Sequence, residues 1–190
     1  MKVETRKDEI IKTASRLFKD KGYSAVTMRD LASELGIKAA SLYNHIDSKQ
    51  ELLKSIILNL AENFTAGMKD VLNSDKVATD KLRMLVELHV KITSNNVYGM
   101  ASLNNDWMHL EDQLEYYLKL RHDYENNFKS IVIDGIAKRE LLDSDPEVLM
   151  FSILSTLRSL YLWIPQKDKL DTELITHQLS EVLISGMERK

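Results

Sequence analysis

The chain has 190 residues and a formal net charge of −3, with 44% hydrophobic and 29% charged residues. That balance excludes a disordered or collagen-like chain, and the length holds one large domain or a small one joined to a larger one. No cysteine is present, which excludes disulfides and thiolate metal sites and fits a reducing, cytoplasmic setting.

Six glycines and two prolines favour long helices over a sheet-and-turn architecture. The opening MKVETRKDEIIK has no apolar segment of the kind a secretory signal needs. The most apolar run, 148–164, is short for a membrane span and carries Arg158, so a buried helix and no membrane partner are expected. Charge is unevenly spread. Residues 1–54 hold 11 Lys+Arg against 8 Asp+Glu, and residues 55–190 hold 15 against 21. A basic end on an acidic body fits a small nucleic-acid-binding module carried by a larger domain.

Residues 1–6 are polar and expected to fray. A first helix is expected from Lys7 to Lys21, with Ile10, Ile11, Ala14, Leu17 and Phe18 on one face, ended by Gly22. Thr27 followed by Asp30 has the form of a capping box for a second helix, whose inner face is Met28, Leu31, Ala32 and Leu35. Gly36 makes the turn, and a third helix is expected from Lys38 to His45, anchored by Leu42 and Ile46. Helix, short Gly-containing turn and helix is the helix-turn-helix arrangement. Asp47 and Ser48, with Gln50 and Glu51 three residues on, start a fourth helix that runs to Leu72-Asn73. The domain boundary is placed inside it: 1–50 as the head, 51–190 as the body. A fifth helix spans 78–93. Thr93 to Asp106 reads as a polar loop or broken helix, and a long helix follows over 107–139. Asp145-Pro146-Glu147 starts a helix that reaches Trp163, and Asp171 starts the last. The fold expected is all-α, with about nine helices.

The third helix carries few large apolar residues. Ala39 and Ala40 let a backbone approach bases and touch thymine methyls. Lys38 reaches a guanine edge or a phosphate, and Ser41 and Asn44 suit base edges. Tyr43, His45 and Lys49 suit phosphate oxygens, as does Thr27 at a helix N-terminus. Singly, each of these residues is as well explained by packing or capping. Together they favour double-stranded DNA as a partner.

Residues 8–54 resemble the DNA-binding head of the TetR family of bacterial regulators. The resemblance is carried by Leu17-Phe18, Gly22-Tyr23, Thr27, Leu31-Ala32, Gly36-Ile37, Leu42-Tyr43-Asn44-His45 and Ser48-Lys49-Gln50-Glu51-Leu52. Lys38 stands where the family usually has Ser, and Ile46 where it usually has Phe. The resemblance implies a helical C-terminal domain that encloses an effector cavity and dimerises through its last two helices, here about 146–163 and 171–188. The residues allow this independently, because helix 146–163 is apolar on several faces and has to bury more than one. Two heads spaced about one DNA turn, roughly 34–36 Å, then read a palindrome.

Met84, His89, Tyr98, Met100, Trp107, Met108, His109, Arg121 and Tyr124 are the expected effector-cavity residues, although Met and aromatic stripes also serve as plain core. Asn105-Asp106-Trp107, the Tyr-rich helix and the Asp145-Pro146 start resemble regulators of the same family that sense acyl-CoA thioesters. That resemblance implies an acyl-CoA or another hydrophobic effector, with Arg121 or Arg158 paired to an anionic group. The expected function is a ligand-released repressor. The alternative is a helical adaptor that kept the head without DNA specificity. No HxxxH or HExxH spacing, Gly-rich phosphate loop or nucleophile elbow is present, so no metal, cofactor or enzyme activity is expected.

Overall fold

The computed structural model describes residues 5–167, 169 and 171–187, and every regular element among them is helical. The order is α1 (Arg6–Lys21), α2 (Met28–Glu34), α3 (Ala39–Leu42), α4 (Lys49–Leu72), α5 (Ala78–Asn95), α6 (Val97–Asn105), α7 (Leu114–Ala137), α8 (Pro146–Arg158), α9 (Leu160–Trp163) and α10 (Thr172–Leu183). Single 3₁₀ turns occupy Trp107–His109, Glu111–Gln113, Ile164–Gln166 and Ser185–Met187. The fraying expected at the N-terminus falls mostly on residues 1–4, outside the described residues.

The chain forms two compact units. One comprises Met1–Ala61 and Asn96–Tyr117, the other Glu62–Asn95 and Leu118–Lys190. The first unit therefore extends past the expected boundary at residue 50 and takes in a second segment. The physical reason is that α1 packs on α6. In the other unit α5 is the central element, contacted by α8, α9 and α10.

Local chemistry accounts for the helix ends. Thr5 and Asp8 form a capping box on α1, and Thr27 and Asp30 form the expected one on α2. Gly22 ends α1 at φ 83°, ψ 144°, close to a region essentially reserved to glycine. At the start of α4, Ser48 Oγ accepts from Glu51 N at 3.0 Å, and the Glu51 carboxylate accepts from Asp47 N at 2.9 Å.

Three expected elements beyond residue 90 come out differently. The loop expected over 93–106 is mostly helix: α5 continues to Asn95, and Asn96 caps α6 by accepting from Gly99 N at 3.0 Å. The long helix expected over 107–139 starts only at Leu114, because Glu111 takes φ 48°, which no α-helix tolerates. The helix expected over 146–163 is divided after Arg158, with a new start at Leu160.

Candidate nucleic-acid interface and buried polar cluster

In the first unit the turn between α2 and α3 is a Schellman motif. Gly36 N donates to Ser33 O at 3.1 Å, and Ile37 N donates to Ala32 O at 3.0 Å. This closure needs a left-handed residue, and Gly36 supplies it at φ 64°. It sets α3 running away from α2 with Leu42 and Ile46 pointing inward, 0% and 1% exposed. Burying each contributes about 1.5–3 kcal/mol, which is enough to hold so short a helix in place. The regular part of α3 is only Ala39–Leu42, and residues 43–45 continue as turns, with His45 N donating to Leu42 O. The expected helix to His45 is cut short because Lys38 gives no side-chain cap and so few residues cannot propagate a helix.

Those two anchors leave the opposite face to solvent. Lys38, Ala40, Ser41, Tyr43, Asn44 and His45 are exposed, Tyr43 at 51%, and Ala39 is half-buried. Among the described residues the polar side chains of this face have no protein partner, so their donors and acceptors are available to a ligand. Thr27 is exposed too, but its N–H and hydroxyl both donate to Asp30 Oδ2, at 2.8 and 2.6 Å. These bonds hold the Asp30 carboxyl below its usual range. Lys49 differs from the rest. It is half-buried, its Nζ donates to Tyr23 O at 2.9 Å, and it lies 4.3 Å from the centre of the Tyr23 ring.

Tyr23 is the corner of this unit. It packs edge-on against Phe18 at 5.1 Å and stacks on His109 at 5.2 Å. Gln50 joins the same group: Tyr23 OH donates to Gln50 Oε1 at 2.5 Å, and Gln50 Nε2 donates to His109 O at 2.6 Å. Lys54 pairs with Asp112, and Lys19 lies over the Tyr98 ring. Burial raises the Tyr23 phenol, with Glu111 and Asp106 adding to it, and burial also raises the Asp106 carboxyl.

The expected effector residues are therefore divided. Tyr98, Met100, Trp107, Met108 and His109 all belong to the first unit. There His109 meets Tyr23, Tyr98 meets Lys19, and Trp107 stacks on Tyr117 at 6.0 Å. Met100 is buried and Met108 exposed. Met84, His89, Arg121 and Tyr124 belong to the second unit. Met84 is half-buried, with its sulfur 4.0 Å from Ser74 Oγ.

His89 is the centre of the second group. Its ring is 4.6 Å from Phe64 and 5.9 Å from Tyr124, and its Nε2 is 2.9 Å from Tyr124 OH. Burial, followed by the positive charge of Arg158, pushes the imidazole pKa down to about 3, so it is neutral at ordinary pH. Burial likewise raises the Tyr124 phenol, and Arg158 opposes that shift. Arg158 also pairs with Glu125, which Arg121 Nε contacts at 3.3 Å. Burial works against the Glu125 charge, but Arg158 and then Arg121 outweigh it and hold the carboxyl below its usual range. Two guanidiniums thus meet at one carboxylate. Sequence reading named the two arginines and left out Glu125, Phe64 and Thr93. A carboxylate four residues from Arg121 was the available signal for Glu125. Phe64 lies at helical spacing within α4, which suits plain core equally well, and Thr93 falls at the start of the expected loop.

Comparison with known proteins gives concordant results. Residues 10–56 match the model described as bacterial regulatory proteins, tetR family, and residues 75–187 match the tetracyclin repressor-like C-terminal domain. The chain is 21% identical over 186 residues to the HTH-type transcriptional repressor KstR2 of Mycolicibacterium smegmatis, covering 96% of this chain and 91% of that one. It is 20% identical over 188 residues to the fatty acid metabolism regulator protein of Bacillus subtilis, covering 96% and 95%. The solved structure of the ketosteroid transcriptional regulator KstR2 of Mycobacterium tuberculosis superposes with a TM-score of 0.91 at 20% identity, covering 100% of this chain and 98% of that one.

Proposed function

This chain belongs to the TetR family of bacterial regulatory proteins and is a DNA-binding transcriptional regulator, and from that premise we propose that it is a homodimeric repressor released from a palindromic operator by a small hydrophobic or acyl-type effector. The observation that carries the DNA-binding part is the outer face of α3, where exposed polar side chains stand over the buried Leu42 and Ile46. Lys38, Ser41 and Asn44, with Ala39 and Ala40, read base edges, and Tyr43 and His45 hold phosphates. Thr27 and Lys49 take phosphates at the margin of this face, through groups that Asp30 and Tyr23 already orient.

The dimer reading is supported by the apolar side chains that α8, α9 and α10 leave in solvent. Phe151 is 70% and Val182 75% exposed, and Val148, Leu162, Trp163 and Leu174 are exposed with them. An open groove of about 500 Å³ among Ser155, Thr156, Ser159, Leu160, Trp163 and Leu179 continues this face. Several large apolar side chains left exposed on neighbouring elements of the chain are the mark of an interaction site, and a two-fold partner presenting the same side chains satisfies it. It also accounts for the apolar Pro146–Gln166 segment, which is long and apolar enough to cross a membrane by composition alone.

The effector reading is supported by the buried His89–Tyr124 pair, which offers neutral polar groups, and by the neighbouring Arg158–Glu125–Arg121 cluster. The names of the relatives, a ketosteroid regulator and a fatty acid metabolism regulator, favour a hydrophobic or acyl-type molecule. Release follows if the effector binds more tightly to a conformation whose two heads no longer match adjacent major grooves. The test is a retardation assay with the promoter DNA of the protein's own operon. Preferential binding that falls steeply with salt is expected, because phosphate contacts release counterions. Equal binding to unrelated DNA at moderate salt excludes the reading.

A further inference from the structure

α5 carries two buried polar groups that no helix-end or ion-pair argument explains. His89 is 3% exposed and Thr93 0%, and neither His89 Nδ1 nor Thr93 Oγ1 has a hydrogen-bond partner among the described residues. They lie four positions apart, on one face of the helix, where the Cβ atoms are about 5–6 Å from each other. A helical hydroxyl ordinarily avoids this state by turning back to the carbonyl four residues before it. Other hydroxyls of this chain do so: Ser15 to Ile11 O, Ser152 to Val148 O and Ser159 to Ser155 O, each at 2.8 Å. Thr93 has the same option with the His89 carbonyl and does not take it.

The tautomer of His89 follows from its other nitrogen. A neutral phenol is a strong donor and a poor acceptor, whereas an imidazole nitrogen lone pair is a strong acceptor. The 2.9 Å contact is therefore expected to be Tyr124 O–H donating to Nε2, with the imidazole proton on Nδ1. The unpartnered pair is then an N–H donor and a hydroxyl free to donate.

We propose that His89 Nδ1–H and the Thr93 hydroxyl form a subsite for an uncharged carbonyl oxygen of an apolar ligand, a ketone or an ester-type group. Two unpartnered donors on one face of one helix turn match in number the two lone pairs of such an oxygen. Phe64 and Tyr124 supply aromatic surface beside it. A carboxylate is disfavoured because two neutral donors do not compensate the loss of its hydration. An alcohol is a second choice, since its own proton finds no acceptor on Nδ1. This assignment deepens the effector reading and rests on it for its biological use.

The test uses the full-length protein and cyclohexanone as probe. Long-range proton–nitrogen spectra, with His89→Gln for assignment, are expected to show Nδ1 protonated and Nε2 as the acceptor. Saturating cyclohexanone is expected to shift Nδ1 and to move its own carbonyl carbon downfield, and cyclohexane is expected to do neither. Thr93→Val, nearly the same shape, is expected to weaken cyclohexanone about tenfold, and Thr93→Ser to restore it. The opposite tautomer overturns the proposal. So does an Nδ1 signal unmoved at saturating cyclohexanone, and so does a preference for cyclohexanecarboxylate. A retardation assay on the same samples separates this from the effector reading. A shifted Nδ1 with unchanged operator binding leaves the subsite standing and overturns release by its ligand.

Discussion

Gln50 and His109, 59 positions apart, are joined by a hydrogen bond from the Gln50 amide to the His109 carbonyl at 2.6 Å. The same amide accepts from Tyr23 OH at 2.5 Å, so one side chain ties the α1–α2 corner, the start of α4 and the turn after α6. Gln50→Ala leaves a buried phenol and a carbonyl unpaired, at a cost of about 1–3 kcal/mol. For a chain of this length, thermal unfolding is expected to drop by about 2–4 °C per kcal/mol. The α3 face does not include Gln50, so operator sequence preference is expected to persist below the new midpoint.

Tyr43 and Lys38 are expected to differ in kind. Tyr43→Ala should weaken binding to every DNA sequence by a similar factor. Lys38→Ala should change which sequence is preferred, by about 1–3 kcal/mol at the affected base pair. Competition retardation with a library of operator variants measures both, and parallel losses in the two variants contradict the assignment.

Lys49 is committed to the fold of its unit. Its ammonium is bound to Tyr23 O and lies over the Tyr23 ring. Lys49→Met is expected to lower the unfolding temperature, and Lys38→Met, at an exposed position without a partner among the described residues, is expected not to. Differential scanning calorimetry on the two variants decides this.

His89 gives the protein a pH dependence of defined sign. Its folded pKa of about 3 lies below the ordinary value of 6.5, so between these values the unfolded chain binds the extra proton. Stability therefore rises with pH across that window and is lost on acidification, at about 1.4 kcal/mol per pH unit well inside it. Denaturant titrations at pH 4.5 and 5.5 are expected to show this slope in the wild type and a smaller one in His89→Gln.

Phe151 and Val182 project into solvent on α8 and α10. Phe151→Arg is expected to convert the dimer to a monomer by sedimentation analysis and to weaken operator binding, because a single head contacts one half-site. A dimer that survives both Phe151→Arg and Val182→Glu places the interface elsewhere.

Much of the head was legible in the sequence because its signals are short-range. Thr27 with Asp30, and Gly36 after Leu35, specify a cap and a turn within a few residues, and the structure forms both. The apolar spacing of Ile10, Ala14, Leu17 and Phe18 identified a face that is buried. Local signals failed where one residue type serves two ends. Asn96 and Gly99 read as loop, yet they are the cap and first turn of α6. Glu111 carried no sign that its backbone turns to positive φ.

The sequence by itself determined the helical class, the capped head and the exposed polar face of α3, since propensity, capping and periodicity act over one or two turns. Only the tertiary structure decided that His109 and Tyr98 join the head's unit while His89 and Tyr124 form a separate buried pair. An aromatic or histidine on a helix face presents the same chemistry to any partner. Which partner it meets depends on packing between segments far apart in the chain, and no periodicity within one helix encodes that.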